Sequence, residues 1–219
     1  MNHHRSILPR NAGLLVLLCC AAGLVAQYHD PETWAHRDSW QHPEEVMDAL
    51  GVKAGSRVAD VGAGEGYFTE RLAKRVGTTG KVFAVDVDEE ALRSLRELKQ
   101  REHLGQVEVV EGSEENPNLP AGSLDAVLVV NAYHEFRRHD DMLRAIAGAL
   151  RPSGVLGIIE KSDKPGEGRE SYERRHRLPE QFLREDLAHN GFTQVAKRPD
   201  LHPTGPREGE VWYFVVAKK

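Results

Sequence analysis

Three glycines stand at alternate positions, Gly62, Gly64 and Gly66, directly after the apolar run Val58-Ala59-Asp60-Val61. Glycine tolerates positive φ and lets a ligand approach the backbone closely. The next stretch, Tyr67 to Val76, places Phe68, Leu72 and Val76 at helical spacing. Strand, glycine turn and helix together form a seat for the anionic or nucleotide part of a cofactor, because the first N–H groups of the helix are free. An acid, Asp86, lies near the end of the following apolar run, Lys81 to Val87, 24 positions beyond Gly62. There it can accept hydrogen bonds from both hydroxyls of a ribose. Asp88, just ahead of the helical stretch Glu89 to Arg101, suits the N-cap of that helix, which leaves Asp86 for a ligand.

Spacing separates the cofactor classes. A dinucleotide fingerprint runs G-x-G-x-x-G/A. Counted from Gly62, its third small residue would fall on Tyr67, whose bulk argues against a pyrophosphate. The pattern present, Asp60-x-Gly62-x-Gly64-x-Gly66, resembles motif I of the class I S-adenosylmethionine-dependent methyltransferases. The likeness extends over Pro43 to Lys219, and LRPSGVLGIIE is similar to the L-x-P-G-G-x-hydrophobic segment of that family, with Ser153 in place of its first glycine. Within the family, the ubiquinone/menaquinone-biosynthesis type of small-molecule enzyme looks closest.

This resemblance implies S-adenosyl-L-methionine as cofactor, held by Asp60, Gly62, Gly64 and Gly66, with Asp86 on the ribose. Relatives commonly place an acid just after the next glycine, against the adenine amino group. Here Gly112 is followed by Ser113 and then Glu114, so either Glu114 or a backbone carbonyl takes that role. The fourth strand, Leu124 to Val130, ends in Asn131-Ala132-Tyr133-His134-Glu135-Phe136. Ends of this kind are where open α/β sheets bind ligands, which adds Asn131 to the cofactor set. His134 is the candidate general base, since an imidazole of ordinary pKa is mostly neutral at pH 7. Tyr133 is the candidate to line the pocket and meet the sulfonium with its ring face. Methyl transfer from a sulfonium needs alignment, sometimes a base, and no metal. No His/Asp/Glu spacing makes a convincing ligand set, although His134-Glu135 with His139 comes near one. The expected metal complement is none.

These residues need a scaffold, and the chain supplies alternating strands and helices. Further strands are expected at Val107 to Val110, Val155 to Ile159, Phe192 to Ala196 and Glu210 to Ala217, and helices at Asp140 to Leu150 and Pro179 to His189. The alternation predicts an α/β fold with a doubly wound, mostly parallel sheet. The methyltransferase resemblance makes it seven-stranded and Rossmann-like, with a C-terminal antiparallel hairpin. Leu150 to Gly154 reads as a turn, and Lys161 to Leu178 as a charged loop running into a helix. Its cluster Arg174-Arg175-His176-Arg177 is either a solvated surface or a mobile flap that would favour an anionic substrate.

At 219 residues, 40% hydrophobic and with net charge −5, the chain suits one domain and shows no basic footprint for nucleic acid. Residues 1–26 differ from the rest: Arg5 and Arg10 precede an uncharged apolar run, Ala12 to Ala26, that closes on small residues. That is the layout of a signal peptide. The run is shorter than the roughly 20 residues a spanning helix needs. The expected organisation is a signal peptide at 1–26, an arm or cofactor lid at 27–42 and the methyltransferase domain at 43–219. An exported, periplasmic or extracytoplasmic location follows, with no membrane span after cleavage. Both cysteines, Cys19 and Cys20, lie in that leader, so the mature chain would have neither a disulfide nor a thiol nucleophile. Two functions are expected in order: methylation of an unidentified small molecule, and, as the alternative, an exported non-catalytic binder of S-adenosylmethionine. Export places the domain away from the cytoplasmic source of that cofactor, which is what keeps the alternative in view.

Overall fold

Strands that are apolar on both faces must be covered on both faces by helices, and that requirement shapes this molecule. The computed structural model describes residues 31–164, 166–198 and 210–219. The expected leader, both cysteines and the proline-rich segment 199–209 lie outside the described residues. Two helices come first, α1 (Pro31–Gln41) and α2 (Pro43–Ala49). The βα alternation follows: β1 (Arg57–Val61), α3 (Tyr67–Val76), β2 (Lys81–Asp86), α4 (Glu89–Arg101), β3 (Val107–Glu111), β4 (Leu124–Val130), α5 (His139–Ala149) and β5 (Leu150–Lys161). The chain closes with α6 (Arg169–Glu173), α7 (Glu180–His189), β6 (Gln194–Lys197) and β7 (Trp212–Lys218).

The sheet has seven strands in the order β3-β2-β1-β4-β5-β7-β6. β1 to β5 pair in parallel, and β7 inserts antiparallel to both β5 and β6. The C-terminal antiparallel pair is therefore present as expected. Order reverses at β1, between β2 and β4, and a ligand crevice in an open α/β sheet opens at such a switch point, beyond the carboxyl ends of the strands. Two apolar layers flank the sheet. One packs Met47, Phe68, Leu72 and Leu95 over Val58, Val82 and Leu128. The other packs Leu143, Ile146, Leu183 and Leu187 over Val127, Val129, Ile158 and Val215.

Three elements differ from the sequence reading. The arm at 27–42 contains an eleven-residue helix, α1. Its inward positions, Trp34, Asp38 and Gln41, mix one aromatic with two polar groups, so no apolar stripe marks it in the sequence. Strand β5 begins at Leu150 rather than Val155, because Leu150 pairs with Leu124 before a bulge carries the register to Val155 opposite Ala126. Gly154 lies in that bulge, where a Cβ would stand 2.8 Å from the Leu124 carbonyl oxygen. The charged stretch after β5 is anchored rather than loose. Tyr172 is fully buried, its hydroxyl donating to the Lys164 carbonyl at 2.9 Å and accepting from the Glu167 N–H at 2.8 Å. Among the described residues no helix is long and apolar enough to cross a membrane.

Candidate functional site

The three glycines of the turn do three different things. Gly62, at φ 73°, lies so close to the end of β4 that a Cβ would meet Ala132 Cβ at 2.4 Å. Gly66, at φ 90°, is packed by α4, and a Cβ there would strike Leu98 at 2.4 Å and Leu95 at 3.0 Å. Gly64, at φ 54°, has nothing within 4 Å of its Cβ position, so its backbone borders open space. The turn is tied to β2 by the N–H groups of Gly62 and Ala63, both donating to the Val85 carbonyl. Beneath it Asp60 is buried and accepts from the Thr69 hydroxyl at 2.7 Å. Burial raises the Asp60 carboxyl to about 6, against the lowering effects of the Thr69 bond and the Arg37 charge.

Asp86 ends β2 facing this turn. Its Oδ2 accepts from the Gly64 N–H at 2.8 Å, and its Oδ1 accepts from Val87 and Asp88 N–H groups at 2.8 and 3.1 Å. The carboxylate is thus fixed in place by the backbone rather than left free. Four lone-pair sites on two oxygens still leave room for a hydroxyl. Asp88 is the N-cap of α4, accepting from Glu90 and Ala91 N–H groups at 2.9 Å each. The cap at Asp88 is the expected one, whereas Asp86, expected to be free, is bonded to three backbone N–H groups.

A cleft of about 290 Å³ opens over these residues at the carboxyl ends of the strands. Gly62, Gly64, Asp86, Glu114 and Asn131 all line it. Asn131 adopts φ 52°, and its side-chain Oδ1 is buried with no partner among the described residues. Glu114 stands exposed on the rim, where the next residue, Glu115, pairs with Arg138 at 2.8 Å and joins the loop after β3 to that after β4. Three apolar walls were not singled out from sequence: Val87, Phe136 and Met142. Val87 carried a signal, being an apolar residue between two functional acids and 58% exposed. A larger hollow of about 550 Å³ lies at the amino ends of the strands, around Lys53, Asp125 and Arg151, on the wrong side of the sheet for the glycine turn.

The helix α1 covers the start of α3. Trp34 meets Tyr67 edge-on at 5.6 Å, and the Arg37 and Arg71 guanidinium groups lie over the Tyr67 ring at 4.0 and 3.9 Å. The Tyr67 hydroxyl donates to Asp38 at 2.6 Å. Burial lowers the Arg37 pKa, with the Arg71 charge adding to it and Tyr67, Asp60 and Glu65 opposing it.

Asp60, Gly66, Tyr133 and His134 do not line the cleft. Tyr133 is turned into the core: it is 1% exposed, packs on Phe136 and donates its hydroxyl to Asp186 at 2.8 Å. It therefore offers no ring face to a sulfonium. The reason is local, since a 3-10 turn over Tyr133–Glu135 follows β4 and points successive side chains about 120° apart. His134 is also buried, with Nδ1 3.0 Å from Glu160 Oε2 and its backbone N–H 3.3 Å from Glu160 Oε1. Its Nε2 faces His176 Nδ1 at 3.2 Å and Glu135 Oε1 at 3.4 Å. Burial alone would lower its pKa, yet the bonds and charges of Glu135 and Glu160 outweigh that and raise it to about 9. The ring is fully buried, both its nitrogens face Glu160, Glu135 and His176, and it does not line the cleft, so it reaches no substrate proton as a general base. Glu160 was passed over in the sequence, although a charged residue at the end of the apolar run Val155–Ile159 was a visible signal for it, and His176 was read only as part of the basic cluster. His139 stands apart from this group, 3.7 Å from Asp186. Within the basic cluster, Arg175 pairs with Glu167 at 2.9 Å and Asp163 at 3.3 Å.

Sheet order, glycine turn and cleft resemble those of class I S-adenosylmethionine-dependent methyltransferases. A family described as a methyltransferase domain matches residues 58–154. The chain is 32% identical over 122 residues to the ubiquinone/menaquinone biosynthesis C-methyltransferase UbiE of Ectopseudomonas mendocina, covering 55% of this chain and 47% of that protein. The chain thus spans about half the length of the curated relatives it matches. A crystal structure of an S-adenosylmethionine-dependent methyltransferase from Aquifex aeolicus superposes with TM-score 0.67 at 26% identity, covering 86% of this chain and 98% of that one. Phosphoethanolamine N-methyltransferase 2 of Haemonchus contortus, solved with S-adenosyl-L-methionine, shares the fold at TM-score 0.65 and 16% identity, over 82% of this chain and 52% of that one.

S-adenosylmethionine is the cofactor of this domain class, and the residues present fit it. Open space at Gly64 admits the ligand to the backbone, and Asp86 offers acceptors to a ribose. The unpartnered Oδ1 of Asn131 awaits a donor, and Val87 with Phe136 gives a planar base an apolar wall.

Proposed function

We propose that the domain methylates a small molecule, with S-adenosylmethionine as donor. The observation that carries this reading is the convergence of Gly64, Asp86 and the unpartnered Asn131 oxygen on one cleft at the sheet's switch point. Glu114 takes the rim position of that set. The protein's contribution to the reaction is alignment: a methyl held on a sulfonium needs its acceptor in line at near-contact distance, and such positioning accounts for much of the barrier reduction. Tyr133 and His134 support the wall after β4 from behind rather than touching the methyl. Likeness to UbiE favours a ring-carbon acceptor of the quinone-precursor type as the first class to try. An anionic acceptor is the finer form of this reading, with exposed Arg137 on the cleft wall as its cation.

We also propose that residues 1–26 act as an export signal, on the strength of the Arg5/Arg10 start and the apolar run to Ala26. The domain would then work outside the cytoplasm.

The experiment is a screen of candidate acceptors with methyl-labelled S-adenosylmethionine and the full chain, quinone precursors first. Label in an extractable product, lost in Gly64→Val, supports an enzyme. Cofactor binding without turnover on any acceptor, including extracts of the host's own metabolites, would support the binder instead.

A further inference from the structure

We infer that His134, Glu135 and His176 form a binding site for one divalent transition-metal ion of the zinc type. Three potential ligand atoms face one another across a nearly equilateral triangle. His134 Nε2 and His176 Nδ1 are 3.2 Å apart, and each is 3.4 Å from Glu135 Oε1. A tetrahedral ion with bonds of 2.0–2.1 Å has ligand-to-ligand edges of about 3.3 Å. An octahedral ion at the same bond length would need edges of about 2.9 Å, so the triangle favours a four-coordinate ion. Two imidazoles and a carboxylate suit zinc and its neighbours, and do not suit magnesium or calcium, which prefer oxygen.

The surroundings point the same way. The other nitrogen of His134, Nδ1, is 3.0 Å from Glu160, whose side chain is fully buried. A carboxylate holding the far N–H of a ligating histidine fixes its tautomer and strengthens it as a ligand. Among the described residues, both Glu160 oxygens are bonded to His134 alone. Charge also balances with the ion bound: two neutral imidazoles, two carboxylates and a doubly charged ion sum to zero. His176 is brought in deliberately by the backbone. It is a non-glycine residue at φ 54°, an uncommon and mildly strained conformation. The turn that imposes it is held by Tyr172, whose carbonyl accepts from Arg175 and Arg177 N–H groups at 2.8 and 3.1 Å.

Three protein ligands leave the fourth position open. Glu135 also lines the cofactor cleft, so the ion would border it. A second grouping, His139 with Asp140 and Asp186, is already committed elsewhere. Asp186 accepts from Tyr133 and pairs with Arg169, and Asp140 accepts from Asn190 at 2.7 Å. Metal binding at His134, Glu135 and His176 stands whether or not the domain transfers methyl.

The test is a titration of the EDTA-treated, dialysed full chain with Zn²⁺ against a chromogenic chelator, and with Co²⁺ followed by visible absorption. Wild type is compared with His176→Ala, Glu135→Gln and the double variant. Both residues are exposed, so the fold is expected to persist, with far-UV circular dichroism as the check. The expected result is one more tightly bound Zn²⁺ in wild type than in the double variant. Each single variant should weaken that ion at least about 100-fold, and the intense Co²⁺ bands of a tetrahedral site should vanish with it. Equal stoichiometry and affinity in wild type and double variant would overturn the assignment, as would an ion that survives both substitutions on residues such as His3 and His4. Preference for Mg²⁺ over Zn²⁺ at this site would overturn the choice of metal.

Discussion

The hydroxyl of Tyr67 donates to the carboxylate of Asp38 at 2.6 Å, joining a helix outside the sheet to the first residue after the third glycine. Arg71 binds the same Asp38 oxygen at 2.7 Å, and Trp34 closes the contact from the side. Tyr67 in this position explains two things at once. It excludes a dinucleotide turn, and it supplies the surface on which α1 is held over the cofactor side of the domain.

Disconnecting that bond should loosen α1 without unfolding the sheet. Tyr67→Phe and Asp38→Asn should each cost about 1–2 kcal/mol, and a double-mutant cycle should return a coupling near 1 kcal/mol. Amide exchange in Glu32 to Gln41 should speed up in both variants, while exchange in β1 and β4 stays unchanged. Uniform acceleration across the domain would show that α1 is no separate unit.

Asp60 should give the fold a pH dependence of unusual sign. Its carboxyl titrates at about 6 in the folded chain, against an ordinary 3.8. The folded state therefore holds a proton that the unfolded state has already released between those values. Its stabilising contribution is full below pH 3.8 and fades as pH rises through 6. Arg37 and the Thr69 hydroxyl favour the charged form and Asp86 opposes it, so the net effect is on the order of 2–3 kcal/mol. Urea unfolding of wild type and Asp60→Asn from pH 4 to pH 7 checks this. The stability of the variant relative to wild type should grow across that range, and a flat difference would mean that Asp60 is not buried as described.

His134 and Glu160 should behave as a buried pair. His134→Ala in the presence of EDTA leaves the Glu160 carboxylate without its partner, and an orphaned buried charge costs about 3–5 kcal/mol. Adding Glu160→Gln should return part of that loss. Denaturant midpoints of the three variants measure it, and a double variant no more stable than His134→Ala would mean that the charge of Glu160 is not the source of the cost.

Export predicts a mature N-terminus near Leu24 or Gln27 and a net charge moving from −5 to about −7 as Arg5 and Arg10 are removed. Intact-mass measurement on protein from the native host reads this directly. A soluble cytoplasmic chain that retains Met1 would contradict it.

Much of the fold could be read from the sequence because its signals are local. The glycine turn, the acid that ends β2, the cap at Asp88 and the order of strands and helices all lie within a few residues of their own evidence. Side-chain direction after β4 was not legible, since one 3-10 turn decides that Tyr133 faces the core and His134 faces Glu160. Nor was the meeting of His134 with His176, 42 positions apart, which depends on a positive φ at His176 that no composition signals. The helix α1 escaped for the opposite reason: its buried face is built from Trp34, Asp38 and Gln41, bonded rather than apolar.

The account rests on the cleft between Gly64, Asp86 and Asn131. Calorimetric titration of S-adenosylhomocysteine into the full chain tests it most directly, with Asp86→Ala and Gly64→Val alongside. Wild type should bind one equivalent. Asp86→Ala should lose about 10- to 100-fold in affinity, equivalent to about 1.5–3 kcal/mol for hydrogen bonds to a charged group. Gly64→Val should fold and bind poorly, since its side chain would enter the open space at φ 54°. Wild-type protein that binds no S-adenosylhomocysteine, or affinity undiminished in both variants, would contradict the assignment of this cleft.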